Sequence, residues 1–389
     1  MGDRMTHRLT ISLLTAVLGA GLVLTGGGVA AASPTWTFTP VVSGLNGPRG
    51  VAFDQQGNLY VAEAGQFQDV SPTPPAFVVN QTGKVDKFSL HQGTATFQWA
   101  TSFNSLSDTF IAPGGEVLGP AGLAPDGNRM LMLMSQNQTG VHKVSPGLAI
   151  PQIGHLFSLN RNNGRAVDVT NIGDQEYTWA AENASLWEEF PDSNPNAVLV
   201  IKARPGNGQT RTFVVDAGAN TVAEVMPNGR IRVIAFIPND ILRDSTPTCI
   251  TQGPDGALYV GTLDLVDNFT FGPGQSHVYR IDPNTHENFL KAAHLWASGL
   301  TTVYGCAFDR QGNFWATEMF QPNPVDPAGP PGDVVEIPFA NPSSITHIGL
   351  GSLPLPGGIA VGPDSAMYVA VGAPDATPAS GGVIKVSAS

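Results

Sequence analysis

The stretch Gly47-Pro-Arg-Gly-Val-Ala-Phe-Asp-Gln-Gln-Gly-Asn-Leu-Tyr-Val-Ala-Glu63 holds the pattern on which the fold turns. A small residue opens an apolar alternation, an Asp-Gln-Gln-Gly turn follows, and Leu-Tyr-Val alternates again, which together read as a β-hairpin. The pattern returns as GPAGLAPDGNRMLML (119–133), PTCITQGPDGALYVGT (247–262), VYGCAFDRQGNFWATE (303–318) and PGGIAVGPDSAMYVAV (356–371). A degenerate copy, PNAVLVIKARPGNGQTRTFVVDAG (195–218), fills the gap, giving six copies spaced about 48 to 81 residues apart. Repetition at such a period marks an array of supersecondary units.

After most copies comes a third strand with its own turn, as in TVAEVMPNG (221–229), HVYRIDPN (277–284), DVVEIP (333–338) and GVIKV (382–386), and then a fourth, as in RIRVIAFI (230–237). Four antiparallel strands per unit, six times over, predict an all-β, six-bladed β-propeller. Its blades cannot bury their faces alone, so residues 33–389 are expected to form one domain. The last copy lacks a fourth strand, while TWTFTPVVSGL (35–45) has the pattern of an outer strand without a blade. The N-terminal strand is therefore expected to close the last blade and remove an open edge.

Composition agrees with this architecture. The chain has 389 residues, 13% of them charged, with 45 Gly and 32 Pro, a density of turn formers that excludes a helix bundle. The formal charge of −12, with no basic stripe, argues against a nucleic-acid partner. Arg4 and Arg8 precede an uncharged apolar run to about Val29, followed by Ala30-Ala31-Ala32-Ser33. That is the layout of an export signal over 1–32, so the remainder is expected outside the cytoplasm, extracellular or periplasmic, as a secreted monomer with no membrane span after cleavage.

Five segments, SGLNGPRGVAFDQQGNLYVAEAG (43–65), DSNPNAVLV (192–200), FVVDAGANTVAEVMPNG (213–229), PTCITQGPDGALYVGTLD (247–264) and GPGQSHVYRI (272–281), resemble the ScyD/ScyE family of exported propellers, with TolB-like or NHL-like repeats. The resemblance runs from about residue 37 to 386, with departures at Asn196, Ala197 and Cys249. It implies a ligand-binding or accessory protein whose partner is a small molecule or another protein.

In a propeller the first strand of each blade lines the channel, and its start shares a mouth with the end of the second strand. Calcium-dependent propeller lactonases, similar in fold only, place oxygen ligands just before the small residue of the inner strand. Here those positions are Arg49, Ala121, Asn196, Thr248, Tyr304 and Gly357, a set too poor in oxygens for a hard cation. Glu63, Asp216 and Glu318 share one repeat position at the end of the second strand, where they either cap local turns or form a polar cluster at the mouth with Arg49 and Asn220. The strand end Phe314-Trp-Ala-Thr-Glu318 resembles that of virginiamycin-lyase-like propellers, which use His and Glu with magnesium, yet none of the eight His falls at a mouth position. His277 is read as a packing residue.

The longest departure from the repeat, near 165–195, holds a helical insertion around 174–190. Asp174 is read as the cap of QEYTWAAENASLW (175–187), and the acidic residues that follow form either a solvated face or a lid bringing Asp192 and Asn194 to a ligand. No nucleophile elbow, phosphate loop or paired-Cys motif appears, so no catalytic residue, cofactor or metal is assigned. A propeller hydrolase or lyase acting on a lactone or cyclic ester, and a protein-interaction scaffold, remain as alternatives. Cys249 and Cys306, the only cysteines, fall one step out of phase on adjacent inner strands, a parity that allows but does not require a disulfide.

Overall fold

Four of the six hairpins of the repeat are pinned by a contact between the turn and the second strand. In a computed structural model the aspartate of the turn accepts a hydrogen bond from the buried aromatic four to six residues on: Tyr60 Oη to Asp54 at 3.2 Å, Tyr259 Oη to Asp255 at 3.3 Å, Tyr368 Oη to Asp364 at 3.2 Å and Trp315 Nε1 to Asp309 at 2.9 Å. The ring fills the space between blades while its polar tip is satisfied, which is why these four copies carry both an Asp-containing turn and a Tyr or Trp. Burial, then the nearby Asp364 carboxylate, pushes the Tyr368 hydroxyl up to about 12.

The structure describes residues 34–68, 77–108, 116–186, 191–202, 209–238, 245–284, 287–321, 331–373 and 378–389. The export segment, the proline-rich loop at 70–76 and residues 322–330 of the second such loop lie outside them.

Six antiparallel sheets form the blades. Blade one comprises Pro48–Phe53, Leu59–Glu63, Phe77–His91 and Thr94–Asp108, with Glu116–Leu118 as a fifth strand. Blade two comprises Pro120–Asp126, Arg129–Met134, His155–Asn160 and Ala166–Asn171; blade three Pro195–Lys202, Thr210–Asp216, Thr221–Val225 and Ile231–Phe236. Blade four comprises Pro247–Gln252, Leu258–Thr262, Ser276–Ile281 and His294–Leu300; blade five Val303–Phe308, Phe314–Phe320, Pro331–Ile337 and Thr346–Leu353. Blade six takes Pro356–Val361, Met367–Val371 and Gly381–Ala388 from the end of the chain and Trp36–Leu45 from its beginning, in register from Trp36 opposite Ala388 to Leu45 opposite Gly381. The N-terminal strand thus closes the last blade.

Among the described residues six large apolar clusters fill the gaps between neighbouring blades, and a smaller seventh gathers Leu263, Tyr304 and Met319. Around the axis the inner strands pack so closely that the small residue of each repeat is a steric requirement. A Cβ on Gly50 would lie 2.1 Å from the Ala121 carbonyl oxygen, and one on Gly305 would lie 2.6 Å from that of Gly357. In blade four the same position is Cys249, which is bonded to Cys306 on the next inner strand with the Cα atoms 5.7 Å apart. The bridge spans 57 residues of chain, and in the chain-entropy picture a loop of that size contributes about 4 kcal/mol.

Two elements differ from expectation. The third and outer strands of blade one are 15 residues each, forming a long hairpin that the repeat does not announce. The insertion helix begins earlier than Asp174: it spans Ile172–Glu182 and is capped by Asn171, whose side chain accepts from the Asp174 N–H at 2.9 Å. No helix among the described residues is long and apolar enough to cross a membrane.

Candidate functional site

Side chains from the inner strands of blades one, three, four and five meet at the mouth of the channel. Arg49 lies buried on the axis, its Nη1 3.1 Å from Tyr304 Oη and its Nη2 2.5 Å from Glu116 Oε1 and 2.7 Å from the Val117 carbonyl. Asn196 donates to the Thr248 carbonyl at 2.6 Å, and Thr248 Oγ1 donates to that of Val303 at 2.7 Å, carrying the hydrogen bonding round to blade five. Burial opposes the Arg49 charge, but Tyr304 and Glu116 outweigh it and hold the guanidinium more firmly protonated than usual. Where the lactonase-type arrangement would gather oxygens about a metal ion, this protein has a cation of its own. The cavity between the inner strands is only ≈ 80 Å³, too small for a drug-sized molecule.

The three carboxylates at the end of the second strand do not converge. Each accepts the backbone N–H of the loop entering its own inner strand, and always at 2.7 Å: Asn46 N to Glu63, Asn194 N to Asp216 and Thr301 N to Glu318. Among the described residues none of them bonds to Arg49. Asn220, in the left-handed region at φ 54°, accepts from Ser245 and Thr246 and so ties blade three to the start of blade four. Of the two readings the sequence left open for Glu63, Asp216 and Glu318, their hydrogen bonds are those of separate local caps rather than of a cluster with Arg49 and Asn220. Equivalent positions in a propeller are related by rotation about the axis, which spreads them round the rim.

Burial is their common electrostatic feature. It raises Glu63 to about 7, with Asp86 adding to the effect and Asn46 N–H and Lys84 opposing it. Burial and then Asp333 raise Glu318 to about 8, against the Thr301 N–H, His347 and Gln321. Burial also raises Asp216 to about 6, despite donors from Ser193, Ala219 and Asn194. Beside Asp216, the insertion helix contributes Glu176, fully buried and, among the described residues, bonded only to the Thr221 hydroxyl, at 3.0 Å. Burial and then the Asp216 charge push Glu176 well above the usual carboxylate range.

A raised native pKa means that the folded state holds a proton which the unfolded chain has released. The stability this contributes is full below the unfolded value and is lost as the pH rises through the folded one. Thermal melts should accordingly show a higher midpoint near pH 5 than near pH 8. Glu176→Gln, which keeps an oxygen for Thr221, should flatten that slope and be neutral or stabilising at the alkaline end; a variant as pH-sensitive as the parent would refute the assignment.

Asp192 and Asn194 lie together at the edge of a cavity of ≈ 710 Å³, lined also by Phe77, Asp108, Glu116, Leu118, Val141 and Tyr177. Gln136 N donates to Asn194 Oδ1 at 3.0 Å, and Asn137 Nδ2 reaches the Ser193 carbonyl at 2.7 Å, so blade two holds this loop in place. Tyr177 comes from the insertion helix and receives Lys143 Nζ on its hydroxyl at 2.5 Å. Glu116 joins the two features, lining this cavity while bonding Arg49 on the axis. Its strand lies outside the repeat, so no sequence signal marked it; Tyr304 stood at a mouth position without being chosen. A second cavity, ≈ 750 Å³, is lined by hairpin turns of blades two and three with Arg129 and Arg211.

His277 makes more than a packing contact, its Nδ1 lying 3.3 Å from Asp264. In blade five His347, on the outer strand and away from the mouth positions of the repeat, lies beside Asp333 and Glu318.

Fold and channel together define a six-bladed β-propeller. No protein-family model matches the chain, and no curated protein is significantly similar to it. Among solved structures, it is similar to the PQQ domain of pyranose dehydrogenase from Coprinopsis cinerea, at 14% identity over 90% of this chain and 95% of the other, with a TM-score of 0.52. It is also similar to a gluconolactonase from Xanthomonas campestris, at 11% identity over 90% and 89%, with a TM-score of 0.50. Virginiamycin B lyase from Staphylococcus aureus aligns at 11% identity over 91% and 99%, with a TM-score of 0.44. At these identities the likeness establishes the propeller alone.

Proposed function

We propose that the protein is an exported ligand-binding propeller of the ScyD/ScyE type, and that its ligand is a small amphiphilic molecule taken into the cavity beside the mouth. The observation that carries this is the cavity itself. Its ≈ 710 Å³ falls in the range of small-molecule sites, and its apolar wall of Phe77, Leu118, Val141, Val144 and Tyr177 is edged by three carboxylates, Asp108, Glu116 and Asp192, against one ammonium, Lys143. An apolar body with donor or cationic groups suits that lining. Export is supported by the leader pattern and by the single disulfide, which persists in oxidising compartments.

The cationic aromatic dye proflavine is a direct probe. It should bind the mature chain, while the anionic dye anilinonaphthalene sulfonate should bind more weakly. Val144→Arg, at a half-exposed position in the wall, should abolish proflavine binding without shifting the melting midpoint. Absence of proflavine binding, or binding indifferent to that substitution, would sink the proposal.

The second reading, a hydrolase or lyase acting on a lactone or cyclic ester, is favoured by one observation, the grouping of Glu318, Asp333 and His347. It requires turnover of a lactone or depsipeptide panel that His347→Ala removes.

A further inference from the structure

Blades one and five carry the same carboxylate at the end of the second strand, but their third strands answer it with opposite charge. In blade one Lys84 stands directly across from Glu63, and its Nζ lies 3.0 Å from Glu63 Oε1 and 2.8 Å from Asp86 Oδ2. In blade five the residue directly across from Glu318 is Asp333. An ammonium is thereby replaced by a second carboxylate, and both acids are fully buried. Among the described residues the only cationic side chain within ion-pair distance of either is His347, whose Nδ1 is 2.8 Å from Asp333 Oδ2 and 3.6 Å from Glu318 Oε2.

Donors do not fill this site. Glu318 is met by Thr301 N–H and the Gln321 amide, each on one oxygen, but Asp333 Oδ1 is buried with no hydrogen-bond partner. A buried carboxylate oxygen without a partner is costly, and two adjacent carboxylates call for positive charge. One ligand atom from each of Glu318, Asp333 and His347 lies within 4.8 Å of the others.

We propose that blade five binds a divalent transition-metal cation of the zinc class through Glu318, Asp333 and His347, the ion standing where blade one has the Lys84 ammonium. One imidazole nitrogen with two carboxylates suits zinc rather than calcium, which takes six to eight oxygens. Ligand atoms about 2.0 Å from zinc sit about 3.3 Å apart in a tetrahedral site. The Glu318–His347 separation is close to this already, and the Asp333–His347 hydrogen bond opens when the metal takes the place of its proton. His347 is partly exposed, so the fourth position faces solvent, and the ion ties the second, third and outer strands of the blade together. This site is separate from the cavity beside the mouth, and its test does not depend on what that cavity binds.

Mature protein without an affinity tag, stripped with chelator, should bind one equivalent of zinc ion in calorimetry, with proton release that varies with the buffer and a raised melting midpoint. Cobalt ion at the same site should give visible d–d absorption. His347→Ala, at a position that need not disturb the fold, should weaken zinc binding by at least about tenfold and remove the cobalt band; Asp333→Asn should do the same. Zinc binding of equal affinity in parent and His347→Ala, the absence of any zinc binding by the parent, or preference for calcium would each overturn the assignment.

Discussion

Removal of Thr35–Leu45 should cost the protein most of its stability. The strand pairs with Gly381–Ala388 along its length, sets Trp36 edge-on to Trp315 at 5.5 Å, and places Val41, Val42 and Leu45 against the cluster between blades six and one. Large apolar side chains contribute about 1.5–3 kcal/mol each when fully buried. Leu45 is buried and the others partly so, which puts the direct loss at roughly 5 kcal/mol, against a total of about 5–15 kcal/mol for a typical domain. The truncated chain would also expose an unpaired edge at Gly381–Ala388, open to pairing with another copy. Thermal denaturation and light scattering of truncated and parent mature chains provide the check. An unchanged midpoint with no association would refute the closing role of the strand.

Gly50→Ala should also be damaging, although it adds one carbon. The new Cβ would sit 2.1 Å from the Ala121 carbonyl oxygen, a backbone atom that cannot swing aside as a side-chain end would. Relief requires the inner strands of blades one and two to part by about an ångström, and overpacking of this kind costs about 1–3 kcal/mol, occasionally more. Here the strain also falls beside Arg49, so its bonds to Glu116 and Tyr304 should loosen with it. Chemical denaturation should show a markedly lower midpoint at unchanged slope, and a variant within error of the parent would show that the ring can breathe. The same clash explains why each inner strand carries a small residue at this point.

Much of the architecture was legible because a propeller writes its fold locally. The turn aspartate, the glycine and the buried tyrosine of Asp54–Tyr60 lie within seven residues, and the strand without a blade at 35–45 could be matched to a blade without a strand. Parity alone made a pairing of Cys249 with Cys306 conceivable; distance needed the structure.

The site was less legible, for three physical reasons. Glu63, Asp216 and Glu318 share a repeat position, but rotation about the axis carries each to its own loop. Glu116 reaches Arg49 from a strand outside the repeat, 67 residues along the chain, where no periodicity points to it. The outer-strand pairing that brings His347 near Asp333 contains an irregularity between Gly332 and Val334, so residue counting does not say which side chains meet.

The closing strand has a further consequence for the order of the chain. Ser389 N donates to the Thr35 carbonyl at 2.8 Å, so these two residues are already hydrogen-bonded neighbours at the outer edge of blade six. Nothing in the strand pairing distinguishes that edge as a beginning. A short linker from Ser389 to Thr35 would make blade six continuous, and the chain could then be cut at an exposed hairpin such as Gln92–Gly93 with every strand keeping its partners. In that sense the propeller is a closed circuit, and the point at which the polypeptide enters it is a matter of permutation rather than of structure.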